Sequence, residues 1–229
     1  MAREIMSRMV VTLELTALAL LVGVIGGLLI GTLAADAIQG SWWQKHLALL
    51  SLLGISIPNF WLGTIFILWL SMMADLFPSG GFVAWSEDPV ANLHHMVLPA
   101  ASLGLAVLAV VSRMTQASID SNIKQPYFMT ALAKGLSRRQ AIQRHILRPS
   151  LIPVVTVIGL QFASLLGGSI VVEELFSLPG MGRLKLQAVG NRNYPLLQGV
   201  LLMTGVIFIT VNLLVDIAYG WLDPRIRRS

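Results

Sequence analysis

The chain has 229 residues, of which 55% are hydrophobic and 12% charged, and its formal net charge is +5. Soluble domains carry about 25% charged residues, so this composition predicts a membrane protein rather than a soluble globule. The absence of cysteine excludes disulfides and thiolate metal sites, and basic residues that flank apolar runs argue against a nucleic-acid partner.

A helix needs roughly 20 apolar residues to cross the hydrocarbon core of a bilayer. Five segments come close to this length, at about residues 10–35, 47–74, 96–112, 151–172 and 195–216. We therefore expect an all-α membrane protein with five transmembrane helices in a single domain, 1–229, because lipid offers no partner to unpaired backbone groups. The first segment could be a secretory signal, but it exceeds the usual apolar length of about 7–15 residues.

The distribution of Lys and Arg predicts the orientation of these helices. Residues 113–150 and the tail 217–229 carry most of the basic residues, so both are expected in the cytoplasm. An odd number of spans then places the N-terminus outside, and residues 75–95 and 173–193 become external loops. An external start without a signal suggests that a preceding span is missing from the chain.

The cytoplasmic loop 113–150 has the pattern of two short helices. Pro126 suits the first position of a helix, and Gly135 suits a left-handed stop. Ser137-Arg138-Arg139-Gln140 fits a capping box that starts a second helix. Pro149 either ends that helix or kinks the start of the next span. The pattern fits an amphipathic hairpin on anionic lipid or a docking element for a cytoplasmic partner.

Four stretches, in order, carry a resemblance to a known family. They are "SIPNFWLG" at 56–63, "YFMTALAKGLSRRQAIQRHILRPSLIPVVTVIGLQ" at 127–161, "VVEELFSLPGMGRL" at 171–184 followed by "NYPLLQGVLL" at 193–202, and "VNLLVDIAYGWLDPRIR" at 211–227. The chain resembles permease subunits of ABC importers, in the branch for dipeptides, oligopeptides, glutathione and nickel. The resemblance implies a type I ABC-importer-like permease core.

The resemblance also implies a function for the loop, which in this family docks on a cytoplasmic ATPase. The expected coupling residues are Phe128, Ala131, Leu132, Gly135, Leu136, Ser137 and Arg138. Met129 stands where the glutamate of the loop signature would be. The implied partners are a second permease in a heterodimer, two ATPase subunits that bind ATP and Mg²⁺, and an external solute-binding protein. The implied location is the bacterial inner membrane, and the usual first span is absent.

The sequence contains no motif for catalysis by this chain. It has no G-x-x-x-x-G-K-[ST] phosphate loop, no H-E-x-x-H and no G-x-S-x-G. We therefore expect a transporter subunit without catalytic residues or a bound cofactor. The alternative is a self-sufficient secondary carrier or channel, which usually shows internal repeats and ionisable residues at mid-membrane. We find no clear repeat.

Several polar residues in or beside the spans are candidates for a translocation path or an external gate. They are Pro58, Asn59, Gln161, Ser164, Glu173 and Glu174. The Pro58-Asn59 pair breaks a helix and leaves a carbonyl free for substrate or for a neighbouring helix. One of the two glutamates matches a family glutamate before "FSLPG", and it either lines an external gate, contacts the docked binding protein, or is a solvated helix end.

Three other features have structural interpretations. The side chains of His94 and His95 would diverge by about 100° on a helix, which suits an interfacial role better than a metal pair. Gly180-Met181-Gly182 is expected to form a tight external turn. Asp216 is expected to pair with a tail arginine, Arg225 or Arg227.

Overall fold

The computed structural model describes residues 2–36 and 56–222, together with Trp42, His46 and Gly54. This part of the chain is helical and contains no strand. Four of its helices are long and apolar enough to cross a membrane, and they cover four of the five predicted spans. These are α1 (Ala2–Asp36), α3 (Pro89–Ile123), α6 (Leu147–Leu175) and α8 (Tyr194–Leu222).

The second predicted span, 47–74, is described only in its later part. Helix α2 (Asn59–Phe66) continues into a π-helical stretch, Ile67–Met73, and together they form a shorter apolar helix. A helix begins after Pro58, as predicted. The carbonyl of Pro58 accepts the N–H groups of Trp61 at 3.0 Å and Leu62 at 3.2 Å, which are the first hydrogen bonds of this helix. Apart from Gly54, residues 47–55 lie outside the described part.

The predicted helix–glycine–helix pattern is confirmed. Helix α4 (Pro126–Ala133) has its proline in the first turn, and Gly135 follows with φ +87°. The Ser137 hydroxyl then accepts the backbone N–H of Gln140, and the Gln140 side chain accepts that of Ser137. This capping box starts α5 (Arg138–Ala141). Local sequence chemistry therefore determines this segment.

Helices extend into the predicted cytoplasmic loop 113–150 at both ends. Helix α3 continues to Ile123, and α5 passes through a π-helical stretch, Ile142–Ile146, directly into α6. The second helix of the hairpin therefore does not end at Pro149, and the next span does not begin there. A π turn directly before a proline widens the helix where the proline ring would otherwise meet the preceding turn. The charged residues that flank the apolar segments therefore lie on helices rather than in an irregular loop.

Among the described residues there is a helix that the sequence did not predict. Helix α7 (Met181–Gly190) follows Gly180, where only a tight turn was expected. It has no local side-chain cap, so the usual sequence signal for a helix start is missing. A local cap is not needed, because the first backbone N–H groups of α7 bond to side chains from α1 and α6, as described below.

Contacts between residues divide the chain into two compact units. The first contains described residues of Met1–Val22, Ile57–Ala106 and Gln161–Val211, and the second those of Gly23–Ser56, Val107–Leu160 and Asn212–Ser229. The core of the first unit includes Ile5, Leu166, Met181, Leu184, Val200 and Ile207. The core of the second includes Ala35, Ile119, Phe128, Ala131, Ala141, Ile142 and Ile146.

Candidate functional site

The coupling hairpin, residues 126–146, is anchored by its apolar side chains. Phe128 and Ala131 are buried in the core of the second unit, with Ile142 and Ile146 of the same hairpin and Ile119 of α3. Full burial of an aromatic side chain such as Phe128 contributes roughly 1.5–3 kcal/mol. The hairpin is therefore packed on the ends of the long helices rather than suspended as a free loop.

The opposite face of α4 is exposed. Met129 is 65% exposed and Tyr127 is 42% exposed, and Thr130, Ala133 and Lys134 are exposed as well. This surface was not among the expected coupling residues. It could have been inferred from the helical period, because Phe128 and Ala131 are three residues apart on the inward face and Met129 lies away from them.

The seven expected coupling residues fall into three groups. Phe128 and Ala131 are buried, and Leu132 and Leu136 are half-buried against the same core. Gly135, Ser137 and Arg138 are exposed at the turn and the following helix start. The first two groups pack against the core, whereas the third group and the face around Met129 are exposed.

Polar contacts fix the hairpin to three helices of its unit. Arg138 Nη2 donates to the carbonyl of Ala35 at 3.3 Å, near the end of α1, where helix carbonyls lack internal partners. The Tyr127 hydroxyl donates to Asn122 Oδ1 at 2.7 Å. Asn122 Nδ2 in turn donates to Ser150 Oγ at 3.1 Å. A displacement of the hairpin must therefore strain α1, α3 and α6 or move them with it.

Glu173 is the centre of a polar network in the first unit. It is fully buried, and it accepts hydrogen bonds from the Thr12 hydroxyl at 2.8 Å, the Ser169 hydroxyl at 3.1 Å and the Arg183 N–H at 3.1 Å. The Thr12 hydroxyl oxygen also accepts the N–H of Met181 at 2.8 Å. Side chains of α1 and α6 thus bind the first backbone N–H groups of α7 and take the place of a local cap.

Two glycines allow α7 to approach this carboxylate. A Cβ atom at Gly180 would overlap the Glu173 carboxylate, and one at Gly182 would come within 2.7 Å of the Ile170 Cα. On α7, burial lowers the pKa of the Lys185 ammonium, and the nearby Glu173 opposes this effect. The two glycines of the Gly180-Met181-Gly182 stretch thus allow α7 to pack closely against the buried Glu173 side chain.

Glu174 lies in a different environment from its neighbour. Its side chain is 52% exposed, and Oε2 forms a surface ion pair with Arg183 Nε at 3.3 Å. Of the two readings left open for the pair, the solvated helix end describes Glu174. The solvated helix end does not describe Glu173, which is buried and joins three helices.

The other candidate path residues do not join this network. Pro58 and Ser164 are exposed, and Asn59 and Gln161 are half-buried. In the described part of the chain no hydrogen bond connects any of the four to Glu173. The predicted pairing of Asp216 with Arg225 or Arg227 lies outside the described residues.

The two adjacent histidines bond to backbone carbonyls of the loop that precedes their helix. His94 Nε2 bonds to the carbonyl of Leu76 at 2.8 Å, and His95 Nδ1 bonds to that of Gly80 at 3.2 Å. The next residue, Gly81, has φ +92° and donates its N–H to the carbonyl of Phe176 at 2.9 Å. Among the described residues, no three His, Asp or Glu side chains are grouped to hold a metal ion.

These features define a class of protein: a membrane subunit of a transporter, made of apolar helices and a basic, anchored hairpin. Residues 27–228 match the family of binding-protein-dependent transport system inner membrane components, and the chain belongs to that family. Members are transport subunits rather than enzymes, and ATP hydrolysis resides in a separate ATPase.

Named relatives and a solved structure agree with this assignment. The chain is 41% identical to the dipeptide transport system permease protein DppB of Bacillus subtilis, over 95% of this chain and 68% of the relative. It is 39% identical to DppB of Escherichia coli K12, over 99% of this chain and 73% of the relative. An inward-facing structure of the MetNI methionine ABC transporter has the same fold, with a TM-score of 0.79 at 17% identity, covering 97% of this chain and 98% of that one.

Proposed function

We propose that this chain forms part of the translocation path of a bacterial importer for peptides or a related small solute. The peptide class is supported by the relatives, which are named as dipeptide permeases. The chain works with a second, similar permease in a heterodimer, two ATPase subunits that bind ATP and Mg²⁺, and an external solute-binding protein. Its own residues form part of the translocation path and transmit the movement of the ATPase subunits, and they catalyse no reaction.

The geometry of the coupling hairpin carries this proposal. Its outward face, around Met129 and Lys134, is open to a partner, while Phe128 and Ala131 are packed into the core behind it. Closure of the ATPase pair would push on the outward face. Because the inward face is packed against Ile119 of α3 and the hairpin runs directly into α6, the push is passed to α3 and α6 as a movement of whole helices.

The same geometry disfavours the lipid-surface reading of the hairpin. An interfacial amphipathic helix buries its apolar face in the headgroup region. Here the apolar face of α4, with Phe128 and Ala131, is buried within the protein instead. What remains outside is a mixed surface with Thr130 and Lys134 beside Met129, which suits a protein groove.

The proposal includes an orientation. The coupling hairpin and the C-terminus face the cytoplasm, and the N-terminus of this chain faces outside. This is supported by the excess of Lys and Arg in residues 113–150 and 217–229. Helix α7 and the Glu173 network then lie on the external side, where they fix the short segment between two spans and stand closest to the solute-binding protein.

Reconstitution into liposomes tests the proposed function. The complete complex, with ATP inside and the binding protein outside, should accumulate a labelled dipeptide, and omission of ATP should abolish uptake. The chain alone should show no uptake under a proton or sodium gradient. Ion-driven uptake by the lone chain would instead establish the secondary-carrier alternative and contradict the proposal.

A further inference from the structure

A cavity of about 330 Å³ lies in the second unit between the later half of α1 and the helix that runs from α5 into α6. Its walls are mostly apolar, with Leu28, Leu29, Leu33, Ile142, Leu147 and Leu151, and they also include Thr32 and Gln143. Leu29 is 60% exposed and Leu33 is 56% exposed, so this side of the cavity opens outward from a predicted transmembrane helix. The size falls at the lower end of the range for ligand pockets, about 300–1,000 Å³.

Two opposite charges line the same cavity without meeting. Asp36 closes α1, and Arg139 stands in the first turn of α5. Within the part of the chain that the structure describes, neither side chain forms an ion pair with the other or with any third residue. The neighbouring Arg138 is engaged with the carbonyl of Ala35, so Arg139 is the guanidinium that this cavity offers to a ligand.

We propose that this cavity binds a phospholipid whose headgroup carries both a phosphate and a primary ammonium, that is, phosphatidylethanolamine. The phosphate would bond to the Arg139 guanidinium, whose planar donors match phosphate oxygens. The ammonium would donate to the Asp36 carboxylate. One acyl chain would lie along the leucine wall, where the cavity opens toward the bilayer past Leu29 and Leu33.

The charge pattern selects this headgroup over other common ones. Phosphatidylglycerol offers a phosphate to Arg139 but no cation to Asp36. The quaternary ammonium of phosphatidylcholine has no N–H to donate to a carboxylate. A zwitterionic peptide would satisfy both charges, but it would leave the apolar wall against water or backbone, which a lipid chain covers at no polar cost.

The consequence for transport rests on the proposed function of the coupling hairpin. Arg139, Ile142 and Leu147 follow the glycine turn, whereas Leu29 and Asp36 belong to α1. A lipid held between them braces the second helix of the hairpin against α1, beside the Arg138–Ala35 hydrogen bond. Basic pockets between transmembrane helices on the cytoplasmic side are a common way of holding lipid headgroups.

The test uses the complete transporter complex in nanodiscs of equal parts phosphatidylethanolamine, phosphatidylglycerol and phosphatidylcholine. Lipids that remain bound after release are counted by native mass spectrometry. Wild-type complex should retain phosphatidylethanolamine preferentially. Arg139→Gln should lower its retention about tenfold, the effect of one charge-assisted hydrogen bond. Asp36→Asn should keep a bound lipid but lose the preference for phosphatidylethanolamine over phosphatidylglycerol.

Arg144→Gln is the matched control, since Arg144 is an exposed basic residue of the same segment that does not line the cavity. It should leave retention unchanged. Equal retention in wild type and Arg139→Gln, or no preference among the three lipids, would each overturn the proposal. The same spectra show whether the ATPase subunits stay bound. Loss of lipid binding can therefore be distinguished from loss of the ATPase contact on which the proposed function depends.

Discussion

At the scale of single residues, two adjacent glutamates show what a linear sequence leaves out. Glu173 and Glu174 both follow an apolar run, and nothing local distinguishes them. In the structure Glu173 is fully buried and accepts three hydrogen bonds, while Glu174 is half exposed in an ion pair. The difference depends on the rotation of α6 relative to α1 and α7, which is set by packing between distant segments.

This contrast gives a paired prediction. Glu173→Ala removes the acceptor for Thr12, Ser169 and the Arg183 N–H, and each buried donor left without a partner costs about 1–3 kcal/mol. We expect the thermal unfolding midpoint of the detergent-solubilised protein to fall by several degrees. Glu174→Ala is the matched control, and the loss of an exposed ion pair should lower stability by less than about 1 kcal/mol. Equal shifts for the two variants would show that the Glu173 network does not hold α7.

At the scale of helices, local chemistry predicted the coupling hairpin but not its continuation. Pro126, Gly135 and the Ser137 capping box act within a few residues, so the sequence alone locates α4 and the start of α5. The local sequence does not predict that α5 continues into α6, because a proline such as Pro149 usually marks a helix boundary. Helix α7 was missed for the opposite reason, since its caps come from distant residues.

The glycine turn yields a prediction about coupling. Gly135 has φ +87°, and a Cβ there would meet nothing within 4 Å, so a substitution acts through the backbone alone. Gly135→Val should strain the turn by about 1–2 kcal/mol, shift the outward face of α4 and reduce ATP-driven uptake while ATP hydrolysis by the complex continues. Gly135→Asn should retain most uptake, because asparagine tolerates positive φ better. Uptake and hydrolysis measured on the same proteoliposomes would refute the lever if Gly135→Val left their ratio unchanged.

At the scale of the whole molecule, hydropathy predicted the approximate positions of the four long apolar helices among the described residues, because lipid demands apolar length. Hydropathy could not say which face of each helix packs inward. Only 6% of the apolar stretch of α8 is buried, against 61% of that of α3, and both read as similar apolar runs. The exposed apolar faces of such helices would contact lipid or another subunit, so their role depends on molecules outside this chain.

The central claim is that the outward face of the coupling hairpin touches an ATPase subunit, and site-directed crosslinking tests it most directly. The chain has no native cysteine, so Met129→Cys introduces a single thiol on that face, and Val189→Cys, 59% exposed on α7, serves as the control on the proposed external side. In intact cells, a short thiol-to-amine crosslinker should join position 129 to the ATPase subunit and should not join position 189 to it. An ATPase adduct at position 189, or none at position 129 in a complex that still imports its substrate, would contradict the account.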